Sequence, residues 1–370
     1  MTLIAHTGAA VFDGARLWGL GTLVLRDGRF AGVTGAVPEG AEVRVWQGGT
    51  LLPGFVDLQV NGGGGVMFNH APTLATLAVM AQAHGRLGTR AFLATLISDT
   101  PDVTRAAIDA VAQARAQGMT GIAGLHLEGP HLSLARKGAH DGALIRPMGD
   151  GDLALLCAAV ARVGNLMVTL APEAARAAQI ARLRDAGAIV SLGHSDCTFD
   201  AACAAMTAGA TCVTHLFNAM SGLNSRAPGL VGAALDRPVS AGLIADGIHV
   251  HPATIRAALR AKPAGVFLVS DAMATAGSNI DSFMLNGRQV LRRDGRLTLA
   301  DGTLAGADLT LARAVGVMVE QVGVPLVRAL AMATSVPGAL LRDTPCAGRF
   351  TLDVSANAIH LARDGTITAV

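Results

Sequence analysis

The stretch FVDLQVNGGGG, Phe55 to Gly65, sets the frame for the whole chain. It begins as an apolar strand, alternates, and ends in Gln59, Asn61 and four glycines. Working outward, apolar runs of strand length recur at Ala91–Ile97, Gly121–Leu127, Leu166–Leu170, Ala188–Leu192, Thr211–Leu216, Val239–Ala245 and Val266–Val269. Helix-like Ala/Leu/Arg segments follow most of them, for example DVTRAAIDAVAQARAQ and ATIRAALRA. Eight strands alternating with helices predict a parallel (β/α)8 barrel. The segment LNGRQVLRRDGRLTLADGTLAG breaks the alternation and reads as a β-hairpin excursion before the last helix.

The two ends of the chain resemble each other. TLVLRDGRFAGV, from Thr22, and IHLARDGTITAV, from Ile359, each read as strand, Asp-Gly turn, strand. A lone hairpin is marginal in water, so both ends are expected to join one small β-sandwich. The expected organisation is that sandwich over residues 1–50 and 343–370, with the barrel over 51–342.

Composition excludes several classes. Of 370 residues, 51% are hydrophobic and 15% charged, which suits a large buried core rather than disorder. Arg, Asp, Gly or Pro interrupts every apolar run before it could span a bilayer, and the start of the chain lacks the pattern of a signal peptide. Five scattered cysteines without a CxxC pair suit reduced thiols and a cytoplasmic setting. A net charge of +2 argues against a nucleic-acid partner.

Barrels of this kind carry their sites at the C-terminal ends of the strands. Here those ends offer Gln59 and Asn61 on strand one, His126 and Glu128 on strand three, and His194 on strand five. They continue with His215 on strand six, Asp246 and His249 after strand seven, and Asp271 on strand eight. Any one of these could be an ordinary polar loop start, but together they lie far apart in sequence and on one rim. Glu128, His194 and His215 make a carboxylate and two imidazoles, three protein ligands with one open position, the pattern of a catalytic zinc. Such a metal lowers the pKa of a water and polarises a carbonyl. Asp271 stands where a general base could take that water's proton and later deliver it to a leaving group.

These residues carry a resemblance. LPGFVDLQVNG, GLHLEGPHLSLARKGAH, SLGHSD, THLFNAM, PGLVGAAL, ADGIHVHP, VSDAMA and GTLAGADLT occur in this order. With them the chain resembles, nearly end to end, the N-acetylglucosamine-6-phosphate deacetylases of the amidohydrolase superfamily. The resemblance implies hydrolysis of the N-acetyl group of N-acetylglucosamine 6-phosphate, with Glu128, His194 and His215 as metal ligands and Asp271 as the catalytic carboxylate. It implies that Ala139 and His140 contact the sugar, with His140 helping to polarise the acetyl carbonyl. Asn218 and Ala219 would meet the phosphate, Arg226, Asp246 and His249 would add to the substrate site, and Leu304, Ala305 and Gly306 would line it through their backbone. Family structures are dimers in which phosphate groups of this kind can come from the neighbouring subunit, so a homodimer is expected. Members with His-x-His on strand one can hold two metals, whereas Gln-x-Asn members hold one. A single divalent ion is therefore expected, zinc first, with Fe2+ or another divalent ion also suited. Gln59 and Asn61 are expected to hydrogen-bond substrate or ligands, and Gly62–Gly65 to let backbone pass close to the site.

Three alternatives stand beside this reading. The deacetylase for N-acetylgalactosamine 6-phosphate differs at one hydroxyl of the substrate. A cyclic-amide hydrolase such as a dihydroorotase would need His-x-His and a lysine on strand four, and NLMVTLAP has none. A non-catalytic barrel that only binds sugar phosphate would not need the whole ligand set. His126 is expected to orient a ligand, and His70, His84, His131 and His251 to be solvated. Cys197, Cys203 and Cys212 are expected to be inert thiols.

Overall fold

A computed structural model describes residues 2–344 and 346–370. Its centre is an eight-stranded parallel sheet in chain order. The strands are β1 (Phe55–Val60), β2 (Thr89–Ile97), β3 (Gly121–Glu128), β4 (Asn165–Leu170), β5 (Ile189–Leu192), β6 (Cys212–Val213), β7 (Ser240–Leu243) and β8 (Val266–Leu268). Helices α1 (Leu74–Arg86), α2 (Pro101–Ala116), α3 (Asp150–Val163), α4 (Ala177–Asp185), α5 (Phe199–Ala208), α6 (Gly229–Asp236), α7 (Pro252–Ala261) and α8 (Leu311–Val317) follow them in turn. This is the expected (β/α)8 barrel. Every residue of β1, β4 and β5 is buried, as it must be when side chains fill the barrel on one face and helices cover the other. Phe55, Phe92 and Phe267 are among the largest fully buried side chains. Truncating such a residue to alanine costs about 3–5 kcal/mol.

Helix boundaries follow local chemistry. In α2, Pro101 occupies the first turn and the Thr100 hydroxyl accepts from Val103 N, which satisfies an otherwise orphan donor. Strands β5 to β8 are shorter than the apolar runs suggest, whereas β2, β3 and β4 run one or two residues longer. Strand β6 stops at Val213 because His215 turns to φ +28, which no strand accommodates.

The barrel closes through a seam of mixed character. Val60 bridges Ala272, and Asn61 N and Gly62 N both donate to Ala272 O, at 2.8 and 3.1 Å. The Asp57 carboxylate, fully buried, accepts from Ser270 N and Gln59 N. Burial pushes its carboxyl up to about 7, against the pull of those hydrogen bonds. The four glycines after Asn61 form a tight ribbon, with Gly62–Gly63 paired to Val66–Met67 and Gly64 and Gly65 at positive φ. A Cβ on Gly62 would come within 2.4 Å of Val66 O, so only glycine fits there.

The excursion after β8 is larger than a hairpin. It is a four-stranded antiparallel sheet, Ser282–Leu285, Arg288–Arg293, Arg296–Thr298 and Leu304–Ala307. Asn286-Gly287 and Asp294-Gly295 supply its two-residue turns with both residues at positive φ.

The chain ends form two further sheets. One orders Arg29–Thr34, Thr22–Arg26, Leu3–Thr7 and Glu42–Val45. The other orders Ile367–Ala369, Ala358–Leu361, Thr50–Pro53, Ala10–Phe12 and Leu17–Trp18. Val11, Leu23, Leu25, Leu51 and Ala358 pack in one cluster between them, which makes the pair a sandwich. Thr50–Pro53 leaves this sandwich and runs directly into β1. No helix among the described residues is long and apolar enough to cross a membrane.

Candidate active site

The C-terminal strand ends surround a cavity of about 390 Å³. Glu128, His140, His194, His215, Asn218, His249 and Asp271 all line it. A larger groove of about 1150 Å³ lies between the sandwich and the α8 region. The cluster of ligating side chains sits in the smaller cavity, and it is the one such cluster among the described residues. The chemistry therefore belongs to the smaller cavity.

The geometry of that cluster is tight. His215 Nε2 lies 2.9 Å and His194 Nε2 3.2 Å from Glu128 Oε1, and the two nitrogens are 3.1 Å apart. His194 Nδ1 lies 2.9 Å from Arg136 O. A carbonyl only accepts, so Nδ1 carries the proton and Nε2 presents a lone pair. The His194 lone pair and His215 Nε2, converging on one carboxylate oxygen, suit a divalent cation. Burial opposes ionisation of Glu128, but the imidazoles packed against it, with His215 drawn toward its charged form, hold its carboxyl well below the usual range. Burial alone would lower His215, yet Glu128 raises it.

The backbone here is strained. His194, His215, Phe217, Ala219 and Asp271 all have positive φ, between +28 and +79. Each such residue costs roughly 1–3 kcal/mol, and a concentration of them marks a functional site. Neighbouring segments hold them in place. Asp271 O accepts from Ala307 N at 3.0 Å, which ties the end of β8 to the excursion sheet. A Cβ at Gly306, φ +65, would come within 2.8 Å of that same carbonyl, so glycine is required.

The two amides at the C-terminal end of β1 hold carboxylates. Gln59 Nε2 donates to both oxygens of Glu128 at 3.2 Å. Asn61 Nδ2 donates to Asp271 Oδ1 at 2.7 Å. Gln59 is 2% exposed and stands behind Glu128, away from the cavity, while Asn61 lines it. Burial first, then the Glu128 charge, push the Asp271 carboxyl up to about 6, against the pull of His215, His249 and Asn61.

His140 is 3% exposed, and its Nδ1 faces Ser98, 2.8 Å from Oγ and 3.3 Å from the backbone N–H. A donor aimed at Nδ1 makes that nitrogen the acceptor, which leaves Nε2–H for the cavity. Burial, with His194 beside it, holds the imidazole neutral, well below its ordinary pKa. Ser98 follows β2, a strand end for which the sequence offers no reactive group.

The remaining residues divide. Ala139, Asn218, Ala219, His249, Leu304 and Gly306 line the cavity, together with Met273, Leu285 and Thr303, which no sequence signal marked. Asp246 faces His249 instead, with Oδ2 2.6 Å from its Nδ1 and Oδ1 accepting from His249 N and Ile248 N. Ala305 is fully buried in the core of the excursion while its neighbours reach the cavity. Arg226 is exposed on the loop before α6 and does not line this cavity.

Several histidine expectations are corrected. His126 does not touch the ligands. It contacts Leu58 O through Nδ1 and Thr169 Oγ through Nε2, and Thr169 continues to Thr214 and Ser191, forming a polar layer beneath the site. His84 and His131 are each 2% exposed, held by Gly62 O and Arg146 O, whereas His70 and His251 are exposed. Burial pushes the thiols of Cys197 and Cys212 up to about 11 and 12, which makes them inert.

A barrel with this constellation matches known proteins. The chain matches the Amidohydrolase family over residues 50–370 and belongs to it. It is 43% identical over 324 residues to the N-acetylgalactosamine-6-phosphate deacetylase of Shewanella sp. (strain ANA-3), covering 87% of this chain and 82% of that protein. It is 36% identical over 296 residues to the N-acetylglucosamine-6-phosphate deacetylase of Haemophilus influenzae, covering 79% and 77%. The crystal structure of N-acetylglucosamine-6-phosphate deacetylase from Pasteurella multocida superposes with a TM-score of 0.94 at 34% identity, covering 100% of this chain and 98% of that one.

Proposed function

We propose that this protein hydrolyses the N-acetyl group of N-acetylglucosamine 6-phosphate to glucosamine 6-phosphate and acetate. The observation that carries the reading is the set Glu128, His194, His215, Asp271 and His140 around one cavity. Both relatives described above deacetylate hexosamine 6-phosphates by name.

Glu128, His194 and His215 would hold one divalent ion per chain. Zinc suits the ligands, and Fe2+ or another divalent ion fits them too. Such an ion supplies Lewis acidity, which activates a water and polarises the acetyl carbonyl. Asp271, largely ionised at neutral pH, takes the proton of the attacking water and returns it to the departing amine. His140 donates from Nε2 to the carbonyl oxygen as negative charge grows there. Asn61 keeps Asp271 in place with its amide, and Gln59 does the same for Glu128. Asn218, Ala219 and His249 line the same cavity and would meet the 6-phosphate. Ala139, Leu304 and Gly306 line the sugar.

Arg226 completes the phosphate site from a second copy of the chain. The family resemblance supports a homodimer in which this loop crosses the interface, and Arg226 is exposed and outside this chain's own cavity. Five free cysteines support a cytoplasmic setting.

A second reading is the galacto epimer as substrate, which the 43% identity to the Shewanella enzyme favours. One assay tests both. Acetate release is measured on the two N-acetylhexosamine 6-phosphates and their unphosphorylated sugars, with and without added metal. Metal-dependent release from a phosphorylated sugar is expected, and the faster epimer is the substrate. No release from any of them would overturn the proposal in favour of a barrel that only binds.

A further inference from the structure

Strand β4 contributes no side chain to the cluster Glu128, His194 and His215, yet the loop that follows it ends on that cluster. Glu173 lies three residues past Leu170. Its Oε2 accepts from Ser195 Oγ and its Oε1 from Asp196 N, both at 2.7 Å. These are the two residues directly after His194.

Further contacts close a circuit around that histidine. The Asp196 carboxylate accepts from Arg136 Nε at 2.8 Å, and the Arg136 carbonyl accepts from His194 Nδ1 at 2.9 Å. His194 O accepts from Ser133 N at 2.8 Å. Ser195, fully buried, joins the loops of both imidazoles, because its N donates to Ala219 O and its O accepts from Ser221 N. His194 itself has φ +48, a conformation that persists only where its surroundings over-determine it.

We infer that Glu173 is the positioning residue for His194, acting through Ser195 and Asp196 to aim the imidazole Nε2 at Glu128. The inference rests on the metal site proposed above. Groups bonded directly to a metal ligand typically change affinity by about 10–100-fold when removed, and Glu173 acts one contact further out, so a smaller loss is expected.

The test is metal affinity, read by competition with a chromophoric chelator, for the whole wild-type chain, Glu173→Gln and Ser195→Ala. A glutamine cannot accept at both positions, since its NH2 faces one of the two donors. Glu173→Gln is expected to bind zinc roughly 3–10-fold more weakly, below the ~10–100-fold of a group bonded to the ligand itself. Its cobalt-loaded form should show a shifted visible spectrum, while the metal-free Tm stays near wild type. Ser195→Ala, which removes one of the two contacts, should show a smaller loss, and it reads the same linkage if Glu173→Gln does not fold. Combining the two substitutions should be no worse than Glu173→Gln alone, because they break one linkage. Wild-type affinity and an unchanged cobalt spectrum in both variants would overturn the inference. So would a fall in metal-free Tm with affinity intact, which would make Glu173 a general stabilising contact. If the wild-type chain itself takes up no ion, the metal reading fails and this inference falls with it.

Discussion

One group of cavity residues, Glu128, His194, His215 and Asp271, is between 2% and 8% exposed, and a neighbouring strand or loop holds each of them. Around the same cavity Asn218 and His249 are only partly buried, while Arg226, which does not line it, stands in the open on the loop before α6. The first group is finished within one chain. Amides at the C-terminal end of β1 hold the two carboxylates, and Arg136 and Glu173 fix His194 and its loop. The second group has a fixed imidazole, His249 held by Asp246. Bond-breaking groups need rigid placement to be effective, whereas a phosphate can be met by flexible cations at a rim. The difference separates the residues that should govern turnover from those that should govern the choice and binding of substrate.

The largest effect expected is at Asp271. Asp271→Asn keeps the shape but accepts no proton at neutral pH, and turnover should fall about 10²–10⁴-fold with metal content unchanged. Near-normal turnover, measured by acetate release, would move the proton transfer to another group. Arg226→Ala should act through the second group. A charge-assisted contact of about 1.5–3 kcal/mol corresponds to roughly 10–100-fold in kcat/KM for the phosphorylated sugar. The slow reaction of the unphosphorylated sugar should hardly change. Equal loss on both substrates would break the division between the two groups.

A pH profile sharpens the same contrast. Asp271 works as a base, so its raised carboxyl removes activity as pH falls. Below the folded pKa, kcat/KM should drop about tenfold per pH unit. The chain alone sets that carboxyl at about 6, and a bound cation pulls it lower, so the acid limb belongs at or below that value. A limb well above it would point to a different titrating group. The smallest effect is expected at Ser98. Ser98→Ala removes the hydroxyl at His140 Nδ1 but keeps the backbone N–H, so kcat should fall only about 2–10-fold, with KM little changed. A change confined to KM would make His140 a binding group rather than a donor to the carbonyl.

Much of this arrangement could be read from sequence, for a simple reason. Glu128, His194, His215 and Asp271 each end an apolar run, and a parallel barrel sends all such ends to one rim. The Asp-Gly turns at Asp27 and Asp364 declared their hairpins through local backbone preference alone. What stayed hidden depends on partners distant in the chain. Ser98 and Glu173 follow the two strand ends, β2 and β4, at which the sequence offers no reactive group, and their roles exist only because His140 and Ser195 fold against them. The amides of Gln59 and Asn61 were visible, but their attachment to Glu128 and Asp271 spans 69 and 210 residues. His84 and His131 looked like surface residues because a carbonyl partner such as Gly62 O leaves no pattern in sequence. The excursion reads from sequence as one hairpin, since the alternation of its outer strands is weak and only the two turns stand out.

The contrast between a finished group and an open one is tested most directly by mixing inactive chains. Arg226→Ala and Asp271→Asn proteins are each purified, co-refolded or co-expressed, and assayed for acetate release from the phosphorylated sugar. If Arg226 serves the partner's cavity, a mixed dimer contains one site with both wild-type groups, and activity should rise well above that of either parent. Activity no greater than the average of the two parents would contradict this, and would return the whole phosphate site to a single chain.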